Sequence, residues 1–141
     1  LAVCEGMTGG AIQRRLARIG GASRWFRGGM MPYANDSKQH LLAVPAELIE
    51  ERGAASAQVA RHLAGAVRRV FKADLGLAAV GLMEETTAAD LRSTVWIAVA
   101  SATRTTVQRY RTRAGRREAQ ERAAKAALDH LRLRLLKARR E

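Results

Sequence analysis

Aromatic residues are scarce in this chain, at 4% of 141 residues, although hydrophobic residues as a whole reach 48%. A core built almost without rings must come from Ala, Val, Leu and Ile, whose modest volumes call for helices laid closely against a sheet. Cysteine occurs once, as Cys4, which excludes an intrachain disulfide framework and fits a reducing intracellular compartment, the cytoplasm being the simplest choice. No apolar run approaches the ~18 residues of a membrane span, so no membrane partner is expected. The first residue is Leu rather than Met, and the sequence shows no basic, apolar and small-residue signal pattern, which leaves a truncated or a processed N-terminus open. The three histidines, His40, His62 and His130, are far apart and show no metal-ligand spacing; no metal or other cofactor is expected. Acidic residues are also in short supply. Thirteen Asp and Glu face 25 Lys and Arg, a formal charge of +12, which favours anionic partners such as phosphates or nucleic acid.

The basic residues gather in a first-helix group (Arg14, Arg15, Arg18), a strand-and-turn group from Arg104 to Arg117, and a C-terminal group from Arg132 to Arg140. No nucleic-acid module or aromatic platform accompanies them, so solvated Arg-rich faces compete with a nucleic-acid surface as the explanation. The length suits one domain that buries about two thirds of its unfolded surface.

Periodicity gives the order of elements. The apolar stretch Leu1 to Glu5 predicts a buried strand, and Thr8 predicts the cap of a helix over Gly9 to Ile19, closed by Gly20 and Gly21. "WFRGGMMPY" predicts a second strand whose Pro32 places it at a sheet edge or bulge, followed by a short helix capped by Asn35 or Asp36. Pro45 fits the first turn of "PAELIEERG", which Gly53 ends. Ser56 caps a longer helix with Val59, Leu63, Val67 and Val70 on its apolar stripe. "DLGLAAVG" is a strand, and "STVWIAVAS" with "TTVQRYRT" alternates as a hairpin, expected at an edge. From about Gly115 the chain is helical, with Leu128, Leu131 and Leu135 on one stripe and Glu118–Arg122 and Glu121–Lys125 as supporting pairs. The order β-α-β-α-α-α-β-β-β-α describes a single three-layer α/β domain over residues 1–141, a mixed β-sheet flanked by helices.

The segments "EGMTGG", "WFRGGMMPYANDSKQHLLAV", "GAASAQVA", "ADLGLAAVG" and "TVWIAVA" occur in the order and spacing of the CinA C-terminal domain family, which the chain resembles over nearly its whole length, without that family's usual N-terminal helix. The family is similar to the nicotinamide-nucleotide amidohydrolases, which hydrolyse the carboxamide of nicotinamide mononucleotide to the acid and ammonia. In its opening motif, E-S-C-T-G-G, the resemblance implies a nucleophilic Ser, helped by the Tyr and Lys of F-x-G-x-x-x-x-Y-x-N-x-x-K. Here Tyr33 and Lys38 stand at the Tyr and Lys positions, whereas Gly6 stands at the Ser position and Met7 at the Cys position. Glycine supplies no hydroxyl. Cys4, two residues earlier on the strand and about 6.6 Å away, is too far to replace it.

The resemblance also implies ligand contacts at Thr8, Gly9, Gly10, Asn35, Gly81 and Arg116. Thr8 divides between a helix cap and a substrate contact, Asn35 between a cap and a pocket amide, and Arg116 between a phosphate-facing residue in a late G-D-R motif and one more member of a basic run. Where the family has the glycine-rich loop T-G-x-A-G-P, residues 82–93 keep none of it, and Glu84, Glu85 and Asp90 bring negative charge toward an expected phosphate. A non-catalytic relative is therefore the leading expectation, binding a nucleotide ligand or a protein partner, with homodimers implied by the resemblance. An active amidohydrolase with a displaced nucleophile and a basic nucleic-acid or assembly module are the alternatives.

Overall fold

A computed structural model describes residues 1–87 and 90–139, and, of these, the side chains of all but 85–87 and 90. The elements follow the expected order: β1 (Ala2–Glu5), α1 (Ala11–Ala17), a 3-10 turn (Ala22–Arg24), β2 (Gly28–Met30), α2 (Asn35–Leu42), α3 (Ala46–Arg52), α4 (Ala57–Val70), β3 (Gly76–Thr87), β4 (Asp90–Ala100), β5 (Thr105–Arg113) and α5 (Arg116–Ala138). One mixed sheet runs β2-β1-β3-β4-β5. β1 lies parallel to both β2 and β3, and the β3–β4 and β4–β5 pairs are antiparallel. β2, the strand followed by Pro32, is at one edge and the hairpin strand β5 at the other.

Strand alternation sorts the core into two layers. Ala2, Cys4, Ala78, Val80, Ala98 and Ala100 face Val59, Leu63 and Val67 of α4 and the side chains of α2 and α3. Val3, Leu77, Ala79, Val95, Ile97 and Val99 face α1 and α5. The second layer works because α5 presents a row of alanines, Ala119, Ala123, Ala124 and Ala127, that lets its backbone come close to the sheet. A ring-poor composition is thus matched to thin layers. Among the described residues no helix is long and apolar enough to cross a membrane.

Four local expectations are corrected. Val70 is exposed, so the α4 stripe stops at Val67. On α5 only Leu131 of the predicted leucines is buried; Leu128 is half-buried and Leu135 remains 47% exposed, at an apolar groove shared with Leu1, Leu16, Trp25 and Leu75. Glu121 does not pair with Lys125 but reaches across to Arg14 and Arg15 of α1, whose guanidinium groups hold its carboxyl below the usual range. Of the segment 82–93, expected as a loop, residues 82–87 and 90–93 instead carry β3 and β4 onward in antiparallel register from Leu82–Thr94 to Glu84–Arg92 and beyond, and 88–89 lie outside the described residues. Glycine weakens a strand through its backbone freedom and lack of a side chain to pack, so the glycine-poor sequence here favours extended pairing more than a glycine-rich one would.

Candidate functional site

The turn after β1 is built by its backbone and by one carboxylate. Gly6 N–H donates to Ala79 O at 3.0 Å, and Gly9 N–H donates back to Gly6 O at 3.0 Å. Gly9 (φ 60°) and Gly10 (φ 87°) then adopt left-handed conformations that side-chain-bearing residues rarely tolerate. Helix α1 therefore starts at Ala11, later than predicted, and Thr8 is not its cap. The Thr8 hydroxyl donates to Glu5 Oε2 at 2.7 Å, while Ile12 N–H donates to the same oxygen at 3.1 Å and Gln13 N–H to Glu5 Oε1 at 2.8 Å. Glu5, 1% exposed, caps α1 from the strand, placing a buried negative charge where the helix presents unpaired N–H groups.

Beyond the carboxyl end of β1 opens a cleft of about 510 Å³. Gly6 and Met7 form one wall with Val80, Gly81, Leu82 and Met83 of β3; Tyr33, Asn35 and Lys38 come from the start of α2, Arg52 to Ala55 from the α3–α4 junction, and Arg116 from the first position of α5. This is where an open α/β sheet ordinarily receives ligands. The geometry brings together Gly6, Tyr33, Asn35, Lys38, Gly81 and Arg116. Thr8, Gly9 and Gly10 do not line the cleft. The Thr8 hydroxyl is committed to Glu5, and Gly9 packs against Gln120, whose Nε2 donates to Met7 O at 2.9 Å.

Lys38 is 6% exposed, with Nζ donating to Tyr33 O at 2.8 Å and to Asn35 Oδ1 at 3.4 Å. Burial lowers its pKa, a tendency the neighbouring Cys4 opposes. Neither Asn35 nor Asp36 caps α2. Ala34 occupies that position, and Asn35, the first helical residue, contacts the lysine. Tyr33 is 63% exposed and stands at the rim, so the Tyr33–Lys38 link in this structure runs through a backbone carbonyl.

At Gly6 a Cβ would meet Ala79 O at 3.7 Å and Val80 Cγ1 at 3.8 Å, ordinary contact distances, so no crowding explains the missing side chain. Gly81 differs: a Cβ there would lie 2.6 Å from Thr94 O, and close approach of β4 requires the glycine. Cys4 is fully buried on the α4 side of the sheet, and burial pushes its thiol up to about 12.

Of the three carboxylates expected opposite a phosphate, only the side chain of Glu84 is described, and it does not line the cleft. Glu84 lines a neighbouring concavity on the sheet, and the side chains of Glu85 and Asp90 lie outside the described residues. Among the described residues no carboxylate lines the cleft, whereas Lys38, Arg52 and Arg116 do. Arg52 carried no sequence signal as a cleft residue, since only the α3–α4 turn brings it there. Glu5 did carry one: a carboxylate ending an otherwise apolar strand needs buried partners.

The CinA C-terminal domain family matches residues 1–135. A CinA-like protein of Geobacter sulfurreducens is 42% identical over 98% of this chain, and one of Synechococcus is 39% identical over 96%. The chain spans about a third of the length of these relatives, 34% and 33%. The crystal structure of competence damage-inducible protein A from Klebsiella pneumoniae superposes with a TM-score of 0.86 at 22% identity, covering 96% of this chain and 85% of that one. A competence-damaged protein superfamily structure from Enterobacter cloacae gives 0.86 at 24% identity, covering 95% and 80%. These two establish the shared fold, and the family match with its curated relatives establishes more: this chain belongs to the CinA C-terminal domain family.

Proposed function

We propose that this domain is a non-catalytic relative of the nicotinamide-nucleotide amidohydrolases, keeping its cleft to bind a phosphate-bearing ligand of the nucleotide class or a protein partner. Gly6 carries the reading. An amide carbonyl yields to an activated hydroxyl or thiol or to metal-bound water, and position 6, where the resemblance puts the nucleophile, offers a hydrogen. Neither neighbour replaces it. Cys4 is sealed under α4 as the neutral thiol, and the Thr8 hydroxyl is held by Glu5. Lys38, Arg52 and Arg116 around a cleft of about 510 Å³ favour an anionic occupant.

Ammonia release from nicotinamide mononucleotide by the purified protein tests the reading, with calorimetric titration of the nucleotide alongside. Turnover well below ~1 s⁻¹, an ordinary enzyme value, is expected; turnover near that value would overturn it. Retention of Tyr33 and of a desolvated Lys38 at the cleft favours, as the second reading, an active amidohydrolase with a displaced nucleophile. The same assay decides between them.

A further inference from the structure

The continuation of β3 and β4 creates a surface that adjoins the cleft at Val80 and Leu82 and runs on beyond it. On the α4 side of the sheet the cross-strand rows are Val80–Trp96–Arg109, Leu82–Thr94–Arg111 and Glu84–Arg92–Arg113. Exposure rises along them. Val80 is buried and Trp96 half-buried in the α4 layer, while Leu82, Arg92, Arg111 and Arg113 are exposed, so α4 covers only the first row and the strands run on as an open ribbon. A hollow of about 440 Å³ at the ribbon is lined by Glu84, Arg92, Thr94, Arg111 and Arg113 of this face together with Ser93 and Thr112 of the row between them.

We propose that this ribbon face binds the phosphate backbone of single-stranded nucleic acid. Arg109, Arg111 and Arg113 alternate along one face of an edge strand, which sets their Cα atoms about 6.8 Å apart, and Arg92 stands in register beside Arg113. A row of guanidinium groups at that repeat can engage successive phosphates with paired N–H donors, and the Thr94 hydroxyl adds a neutral partner. Three strands are only about 10 Å across between the outer two, a width for one backbone rather than for a duplex. Glu84 on the β3 side repels phosphate and confines the backbone to β4 and β5. The Trp96 ring already carries Arg109, whose guanidinium carbon lies 5.5 Å from the ring centroid, so base stacking is not the main source of affinity. Recognition is through phosphates: indifferent to sequence and steeply dependent on salt. The chain's charge of +12 adds long-range attraction in the same sense.

The test is fluorescence anisotropy of a labelled 20-nucleotide oligo-U and the matching oligo-dT, titrated with the full chain between 50 and 200 mM salt. Four phosphate contacts predict a slope of log K against log salt of about −2.8, at −0.7 per contact, with a Kd below ~100 μM at 50 mM salt. Arg111→Ala/Arg113→Ala should make that slope shallower by about 1.4. Arg134→Ala/Lys137→Ala, which removes equal charge from α5, should leave it unchanged; thermal melts check that both variants fold. Failure of the parent to bind below ~100 μM at 50 mM salt would overturn the proposal. So would equal losses from the two double variants, a duplex bound as tightly as the single strand, or polyglutamate of similar length competing as well as oligo-U. None of these outcomes depends on what occupies the Gly6 cleft, so this site and the proposed function stand or fall separately.

Discussion

Gly6→Ser separates the loss of a nucleophile from the loss of a working site. The added Cβ would sit 3.7 Å from Ala79 O and 3.8 Å from Val80 Cγ1, in ordinary contact, and position 6 lies outside the positive-φ set. Packing cost is therefore small, and restricting the unfolded chain at a former glycine contributes roughly 0.4–1 kcal/mol in the opposite sense. The variant should melt within about 4 °C of the parent. Activity is a different matter. Removing a nucleophile costs on the order of 10⁶ in kcat in a well-studied hydrolase, so a site lacking only that group should recover several orders of magnitude when a hydroxyl is restored.

Two observations argue against recovery. The ammonium of Lys38 is spent on Tyr33 O and Asn35 Oδ1, and the segment that the resemblance assigns to a glycine-rich nucleotide loop is instead strand. Without backbone N–H groups to hold the ligand, the advantage of positioning is lost even where the chemistry is present. Ammonia release from nicotinamide mononucleotide should remain well below ~1 s⁻¹ in Gly6→Ser. A rise to that value would refute the reasoning and show that the cleft needs only its hydroxyl. A melting point lower by 10 °C or more would refute its steric half.

Gly76→Ala should destabilise by about 3 kcal/mol or more, read by urea unfolding, because its Cβ would overlap the Ala64 carbonyl where α4 crosses β3. Glu5→Gln, which sets an amide where three donors converge, should cost about 2–4 kcal/mol in the same assay. Cys4 should be inert to a thiol reagent until the protein unfolds. Its pKa is raised from 9.0 to about 12 in the fold, so stability is retained below pH 9 and falls as pH rises from 9 toward 12, a slope that Cys4→Ala should remove from urea unfolding series. Exposed Leu135 and Leu136 at the apolar groove predict self-association; light scattering should report a dimer at micromolar concentration, and Leu135→Glu/Leu136→Glu should weaken it, while a strictly monomeric parent would count against it.

Where local chemistry decides an element, the sequence sufficed. Ser56 caps α4 through a bond from Val59 N–H at 3.2 Å, Pro32 marks an edge, and period-two alternation gives the β4–β5 hairpin. What was not legible depends on long-range partners. Glu121 has a plausible partner one turn along in Lys125, yet α1 brings two arginines to it. Leu135 continues a heptad-like stripe, but it stays 47% exposed at the groove it shares with Leu1, Leu16, Trp25 and Leu75. Thr8 has a helix cap's chemistry and position, but a carboxylate two turns of helix from Gln13 in sequence outbids it, since a charged acceptor makes stronger bonds to N–H groups than a hydroxyl does. For the cleft, the grouping of Gly6, Tyr33, Lys38 and Arg116 was visible only through the resemblance; neither spacing nor charge joins residues so far apart in the chain.

On the proposed reading, the structure of the turn explains how such a motif could outlast its chemistry. Every interaction that shapes it involves atoms other than a side chain at position 6: the Gly6 N–H to Ala79 O bond, the left-handed Gly9 and Gly10, the Glu5 carboxylate with its three donors, and Gln120 holding Met7 O. A side chain at position 6 would contribute almost nothing to folding, whereas Glu5, the two glycines and the close-packed Gly81 contribute to folding whether or not a reaction takes place. A chain released from catalysis would therefore lose the hydroxyl at little structural cost and keep the rest of "CEGMTGG" under the demands of the fold alone. Motif residues here consequently weigh unequally as evidence. The glycines and Thr8 testify to architecture, and the proposed function rests on position 6 with Lys38 and the cleft arginines.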